Sequence, residues 1–166
     1  MKKITVVLVA LLSTAYMNAQ TDQGNFLIEA NTGFGGLASH PASTSFRLVS
    51  VDGETDFSVG AEAGYFIADD LAIKVGLGYA DADETFTFKG GVKYYLFSNI
   101  PLQIDIAGAS GQGNQNPLWL GGQGGYAIFI NDNVSIEPGF RYNYSLNQDF
   151  ADVGVLEFNV GFVIFI

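Results

Sequence analysis

The sequence predicts an all-β protein, namely an eight-stranded antiparallel up-and-down transmembrane β-barrel preceded by a cleaved signal peptide. Three observations predict this fold class. Apolar residues recur at every second position over long segments of the chain. Charged residues make up only 14% of the 166 residues, against about 25% in an ordinary soluble domain. The connections between the alternating segments are short and long in turn, which is typical of strands that cross a membrane back and forth.

The first residues have the layout of a secretory signal peptide. Lys2 and Lys3 provide the positive start, and an apolar run follows from Ile4 to Leu12. This run is too short for a transmembrane helix, which needs about 20 residues. A cleavage site is expected between Ala19 and Gln20. We therefore predict a signal peptide over residues 1–19 and an outer-membrane barrel domain over residues 20–166.

Eight segments of the remaining chain alternate between apolar residues and polar or very small ones. In one of them Val75 and Leu77 alternate with Lys74, Gly76 and Gly78. A period of two residues is the signal of a β-strand. Most segments exceed the five or six residues of an average strand and suit the about 9–11 residues that cross a bilayer at a tilt. The predicted strands cover residues 26–34, 57–65, 71–79, 86–96, 102–107, 118–130, 134–144 and 158–166.

The connections predict which end of the barrel faces which compartment. Turn-forming residues occupy the short connections at 68–70, 98–101 and 131–133. Longer connections run over about 38–54, 109–116 and 147–153, and the short Asp81–Asp83 hairpin interrupts this alternation. Short periplasmic turns and long extracellular loops are typical of outer-membrane barrels. Within the first long connection, Phe46–Val51 has strand-like composition and is expected to extend the second strand as an exposed β edge.

Size predicts that the apolar face points outward. The interior of an eight-stranded barrel is just wide enough for side chains to fill it. The apolar positions carry bulky aromatic residues, whereas the alternate positions are thinned by glycines, so the small residues are assigned to the interior. These interior glycines are Gly33, Gly60, Gly64, Gly76, Gly78, Gly91, Gly121, Gly125, Gly139 and Gly161. The alternative is a secreted soluble barrel that keeps its apolar face inside and binds an apolar ligand, as lipocalins do.

The interior positions also carry most of the charge that is not in loops. Five acids and four bases nearly neutralise one another there, and buried charges need such partners. We predict a structural network of salt bridges in the lumen, with a proton or ion path as the alternative. Its members are Glu29, Glu62, Lys74, Lys89, Lys93, Asp105, Glu137, Arg141 and Glu157. Five aromatic residues share the interior parity, and we expect them to pack near the barrel ends rather than to line a ligand pocket: Phe66, Tyr95, Trp119, Phe129 and Phe165.

Composition excludes several kinds of chemistry. The chain has no cysteine and a single histidine, His40, so thiolate and multi-histidine metal sites are excluded. The net charge of −10 argues against nucleic acid as a partner. The glycine runs Gly33–Gly36 and Gly121–Gly125 do not open a helix and lack the lysine of a phosphate-binding loop. The sequence thus predicts no catalytic, cofactor-binding or metal-binding residues and no cofactor.

The whole mature chain resembles the small eight-stranded outer-membrane barrels of the OmpA/OmpX type. The signal peptide, the eight alternating strands and the apolar last strand, Phe158–Ile166, carry this resemblance. The signal ending Asn18–Gln20 looks like those of Bacteroidota. The resemblance implies a porin-like protein of a Gram-negative outer membrane, surrounded by outer-membrane lipids, whose last strand is read by the barrel-assembly machinery. In that family the last residue is usually aromatic, whereas this chain ends in Ile166 after Phe165.

The function expected from this reading is a non-enzymatic integral outer-membrane barrel with a structural or surface-interaction role through its extracellular loops. The sequence does not name a loop-binding partner. Some barrels that resemble this one are lipid-modifying enzymes with a histidine near the outer rim. The alternative is therefore a lipid-modifying enzyme that uses His40, which lies beside Ser39, Ser43 and Ser45. A nucleophile and base pair of this kind also needs an orienting acid.

Overall fold

The computed structural model describes residues 20–34, 46–51, 54–80, 84–110, 117–146 and 154–166. The predicted signal peptide, His40 and Asp81–Asp83 lie outside these residues, as do most of the predicted long connections. Within the described part of the chain, no helix has the length and apolar character needed to span a bilayer.

Ten β-strands make up the described chain, and they form one sheet. In chain order they are β1 (Phe26–Phe34), β2 (Phe46–Val51), β3 (Glu54–Ala68), β4 (Leu71–Ala80), β5 (Thr85–Leu96), β6 (Ile100–Ser110), β7 (Leu118–Gly125), β8 (Ile128–Asn131), β9 (Val134–Ser145) and β10 (Val155–Phe165).

The sheet closes on itself. Each wall strand pairs with antiparallel neighbours, and β1 completes the circle because it pairs with both β10 and β3. The register of closure sets Leu27 opposite Phe165 on one side and opposite Gly64 on the other. The closed barrel therefore has eight strands, since β8 continues the line of β7 and β2 lies outside the circle. The predicted eight-stranded antiparallel up-and-down barrel is therefore confirmed.

One predicted strand is divided in two. The sequence pattern predicts a single strand over 118–130, but the structure ends β7 at Gly125 and begins β8 at Ile128. The break lies beside Pro138 of β9, which has no backbone N–H to donate to a neighbouring strand. Tyr126 N–H still donates to Pro138 O at 3.0 Å, whereas Ala127 N–H turns away and donates to Asn99 O at 2.8 Å.

The strand β2 lies within the first predicted long connection and pairs with the start of β3. The register runs from Phe46 opposite Val59 to Val51 opposite Glu54. Along β3, the pairing with β2 ends at Val59, and the pairing with β1 begins three residues later, at Glu62. The hairpin of β2 and β3 therefore continues the wall beyond the point where β1 leaves it, and the strand expected over these residues is present.

Side chains alternate between the two faces of the wall. On β4, the side chains of Val75 and Leu77 are 66% and 75% exposed, whereas the side chain of Lys74, which precedes Val75, is 3% exposed. The same alternation runs along β5, β6, β9 and β10. The barrel therefore presents large apolar side chains outward and places its charges inside, which is the reverse of a soluble protein.

Asp70 holds together the end of the barrel that carries the three short turns, which we call the turn end. Its backbone N–H donates to Thr21 O at 2.7 Å, and the Thr21 hydroxyl donates to its carboxylate at 2.6 Å. Tyr95 N–H donates to Asp70 O at 2.8 Å. Asp70 adopts a φ of 64°, a left-handed conformation that aspartate tolerates better than most residues. The segment before β1 is thereby tied to two separate turns.

We predict that Val75→Arg weakens the folding of the protein in lipid by about 2–4 kcal/mol, because it places a charge on the exposed apolar face near the middle of the barrel wall. Equilibrium unfolding in lipid vesicles measures this cost. Ile130→Arg is the matched control, since Ile130 is also outward and exposed but adjoins the turn after β8. Its cost is expected to be about 0–1 kcal/mol, because the penalty falls near the interface. Equal stability of Val75→Arg and the wild type would contradict the outward assignment.

Candidate functional site

Glycines create the space that the charged interior needs. A Cβ on Gly76 would lie 2.9 Å from Glu62 Cγ, and one on Gly91 would lie 2.5 Å from Asp105 Cβ. A Cβ on Gly121 would collide with the guanidinium of Arg141. Each of these long charged side chains therefore lies against a neighbouring strand at a position where any larger residue would displace it. The interior glycines predicted from the pattern are part of the site for this reason.

Three lysines and three glutamates form one continuous chain of ion pairs. Lys74 Nζ lies 2.6 Å from Glu29 and 2.9 Å from Glu62, and the Nζ of Lys89 lies 2.6 Å from Glu62. Lys93 Nζ extends the chain to β9, since it lies 2.6 Å from both Glu29 and Glu137. The chain therefore links β1, β3, β4, β5 and β9 across the interior.

A second branch is centred on Arg141 of β9. Its guanidinium donates two hydrogen bonds to Asp105 of β6, one of them at 2.7 Å from Nη1 to Oδ2. Gln103 joins the two branches, because its Nε2 donates to Asp105 at 2.7 Å while its Oε1 accepts from Lys74 at 2.8 Å. The two-point geometry is the strong form of an arginine–carboxylate pair.

Arg141 also leads to the ninth charged residue. Its Nε donates to Asn143 Oδ1 at 2.9 Å, and Asn143 Nδ2 donates to Glu157 at 3.3 Å. In the strand register Glu157 lies directly opposite Arg141. All nine side chains of the predicted network lie inside the barrel, and none is more than 8% exposed.

The aromatic residues of interior parity separate into two groups. Phe66, Tyr95, Phe129 and Phe165 cluster at the turn end, with ring centroids 5.6–6.3 Å apart. The hydroxyl of Tyr95 donates to Glu137 Oε1 at 2.9 Å, so the apolar cluster is joined to the charged network. Trp119 lies elsewhere, buried against Ala107 and Ala109.

The sequence interpretation did not include the uncharged members of this network. Asn31 Nδ2 donates to Glu29 and Glu62, Ser135 Oγ donates to Glu137, and Gln103 and Asn143 bridge charged groups as described above. All are interior by the same two-residue period that located the charges. The sequence pattern therefore contained a signal for these residues: they are polar, they share the interior parity, and their side chains carry hydrogen-bond donors.

The described residues contain no group of three or more histidine, aspartate or glutamate side chains arranged to hold a metal ion. The network is instead one of paired opposite charges joined by amides and hydroxyls. Such an arrangement cross-links the strands across a narrow interior.

Comparison with known proteins identifies the fold. No family profile matches the sequence, and no curated protein matches it. The N-terminal β-barrel domain of Pseudomonas aeruginosa OprF is 15% identical, with a TM-score of 0.57 over 87% of this chain and 98% of that chain. A de novo designed transmembrane β-barrel is 13% identical, with a TM-score of 0.51 over 89% of this chain and 100% of that one.

The outer membrane protein Ail of Yersinia pestis is 10% identical, with a TM-score of 0.49 over 87% of this chain and 100% of that chain. At such identities a likeness to solved structures shows the fold alone. By fold, the chain is therefore a small closed β-barrel with eight antiparallel strands, similar to the barrel domain of OprF and to the designed transmembrane barrel.

We predict that Arg141→Met destabilises the barrel by about 3–5 kcal/mol, because it leaves the buried carboxylate of Asp105 without its ionic partner. The double variant Arg141→Met with Asp105→Asn should recover most of this loss, since it removes both charges together. Denaturant unfolding in micelles, read as a double-mutant cycle, measures the coupling. Additive losses in the double variant would show that the two side chains do not act as a pair.

Proposed function

We propose that this chain is a non-enzymatic integral protein of the bacterial outer membrane, in which a rigid barrel carries surface loops. The single observation that carries the proposal is the inversion of polarity across the wall. Large apolar side chains such as Leu77, Phe86 and Ile104 are more than 60% exposed, while the charges are buried. In water such an exterior would aggregate, whereas lipid solvates it.

Closure of the sheet supports the same proposal. In a bilayer core no water is present to hydrogen-bond a free strand edge, so a membrane-spanning sheet must close. Here β1 pairs with β10 over eight register positions, from Leu27 opposite Phe165 to Phe34 opposite Phe158. The soluble lipocalin-like alternative loses support, because it requires the apolar face inside.

The proposed route to the membrane uses the predicted leader and the last described strand. The leader at residues 1–19, which looks like those of Bacteroidota, would direct export from the cytoplasm of a Gram-negative cell. The barrel-assembly machinery would then read β10, whose outward Phe158, Phe162 and Ile164 are exposed. Outer-membrane lipids would surround the finished barrel.

The proposed barrel does not conduct ions as a pore. Its middle is crossed by the ion-paired chain from Lys89 to Glu137, and its turn end is filled by the aromatic cluster around Phe165. The network accordingly has a structural role in this proposal, as cross-links between strands.

We predict that planar-bilayer recordings of the purified protein show no large steady conductance, because side chains fill an eight-stranded interior. Phe66→Ala with Phe165→Ala is the informative variant, since it removes two rings from the turn end and is expected to increase brief openings. A stable porin-sized conductance in the wild type would contradict the proposed closed interior.

Surface recognition is proposed to use the hairpin of β2 and β3. β3 pairs with β4 on one side, as far as Ser58, and with β2 on the other. β2 is therefore the edge strand of this hairpin. A margin strand can bind an extended segment of another protein by strand addition. The β-branched and aromatic composition of Phe46–Val51 suits such pairing.

We predict that replacing residues 39–50 by a short Gly-Ser turn abolishes surface binding but leaves the barrel folded, because β2 is not one of the eight strands of the closed barrel. Adhesion of cells that display the protein to immobilised extracellular proteins is the measurement, and the heat-modifiable shift on gels reports folding. Replacement of residues 111–116 by the same turn is the control and should retain adhesion. Loss of folding in the first variant would show that this connection serves the scaffold.

A further inference from the structure

The junction of β1, β2 and β3 leaves part of β1 without a ladder partner on one side. β1 pairs with β10 up to Phe34, but it pairs with β3 only up to Glu29. The backbone groups of successive residues point alternately to the two neighbours of a strand. Because Phe26 exchanges both of its backbone hydrogen bonds with β10, the odd-numbered residues of β1 direct theirs toward β3. Asn31 and Gly33 therefore have no register partner on that side among the described strands.

β2 occupies the place on β3 that β1 leaves. The pairing of β2 with β3 reaches Val59. Cα atoms of β1 and β2 come within 8 Å of each other, although the two strands share no register pair. An intervening strand would set them about 9.5 Å apart, so β1 and β2 are direct neighbours. The second half of β1, Ala30–Phe34, thus lies beside β2 with its edge toward β3 unpaired.

The registers of β1 and β2 on β3 overlap when the first is continued. The observed pairing of β1 with β3 ends with Glu29 opposite Glu62, and continuing it by three residues sets Thr32 opposite Val59. In the structure Val59 lies opposite Phe46 of β2. The segment Phe57–Val59 of β3 is therefore within the register of both strands, and only one of them can pair with it at a time.

Two buried polar side chains beside the junction favour a second pairing. Asn31 Oδ1 and Ser58 Oγ have no hydrogen-bond partner among the described residues, and these side chains are 1% and 9% exposed. The amide nitrogen of Asn31 is already used, because it donates to Glu29 and Glu62. The continued register would set Ser58 diagonally across from Asn31, where a serine hydroxyl can donate to an amide oxygen. Since an unmet buried polar group is costly, this register has a source of stabilisation that the observed one lacks.

We propose that the second half of β1 and the first half of β2 exchange as partners of β3, so that the barrel has two alternative pairings. The second pairing gives up the three positions Phe46–Leu48 of β2 and gains the five positions Ala30–Phe34 of β1. A difference of so few ladder positions allows both pairings to be populated. In the second pairing β2 is shortened to Val49–Val51.

The exchange controls the length of the edge strand on the β2–β3 hairpin. An extended partner that adds to β2 needs the full strand, so its binding would shift the population toward the observed pairing. Only this consequence rests on the proposed function, because the exchange itself concerns the wall and takes place without a partner.

Cysteine trapping distinguishes the two pairings, because the chain has no cysteine of its own. Val59→Cys is combined with Phe46→Cys to report the observed pairing and, in a separate variant, with Thr32→Cys to report the second. Both are non-hydrogen-bonded pairs, whose Cα atoms lie about 4.5 Å apart, within the range that a disulfide spans. Each variant is folded into detergent micelles under reducing conditions and then oxidised, and the loss of free thiols is followed by mass spectrometry of the alkylated protein.

We expect the disulfide between positions 32 and 59 to form in the folded protein, more slowly than the one between positions 46 and 59 but to completion. Thr32→Cys with Tyr79→Cys is the negative control, because Tyr79 lies opposite Val59 on the far side of β3 and is beyond disulfide range of Thr32 in either pairing. Ile28→Cys with Ala63→Cys is the positive control, since this register pair is the same in both states.

Proline substitutions shift the balance in opposite directions. Arg47→Pro removes a ladder hydrogen bond of the observed pairing, and it should speed the disulfide between positions 32 and 59 about tenfold. Gly33→Pro removes an N–H that the second pairing needs, and it should slow the same disulfide about tenfold. Leu48→Pro is the matched control, because its backbone N–H is directed away from β3, and it should leave the rate nearly unchanged.

Two results would overturn the proposal. If positions 32 and 59 form a disulfide no faster than positions 32 and 79, while the positive control goes to completion, the second half of β1 stays apart from β3. If the disulfide forms at a rate that neither Arg47→Pro nor Gly33→Pro changes, the two positions meet without an exchange of partners. The heat-modifiable shift on gels verifies folding of each variant. Should Gly33→Pro not fold, Arg47→Pro decides alone, because β2 is not one of the eight strands of the closed barrel.

Discussion

The narrow interior of an eight-stranded barrel is the constraint on which the rest of this structure depends. Because the lumen admits few large side chains, Gly76, Gly91 and Gly121 provide the space for the side chains of Glu62, Asp105 and Arg141. The bulky residues are then left to the outside, where their exposure to water would favour aggregation. The composition of the chain is poor in charge and rich in glycine and aromatic residues, and it follows from the narrow width of the barrel interior.

Most of the wall could be predicted from the sequence, because a period of two residues needs no tertiary information. The pattern located the strands and assigned the charged residues to the same face. It could not predict the interruption at Tyr126–Ala127, because that break depends on which backbone groups Pro138 meets across the sheet. Nor could it predict which acid pairs with which base, since the pairs of Lys93 with Glu29 and Glu137 depend on the register of strands far apart in the chain.

The uncharged residues explain why the network holds together as one unit. Gln103 and Asn143 each accept from a cationic side chain and donate to a carboxylate, so they carry the connection between ion pairs that are not in direct contact. Amides suit this position because they offer a donor and an acceptor without adding charge.

The pairing of β1 with β10 has a consequence for how the molecule is made. These two strands lie at opposite ends of the described chain, and Leu27 meets Phe165 only when every intervening hairpin is in place. The most distant contact in sequence is thus also the one that removes the last two free edges. A chain that lacks β10 would leave one edge of β1 and one edge of β9 unpaired, so closure of the sheet requires the last described strand.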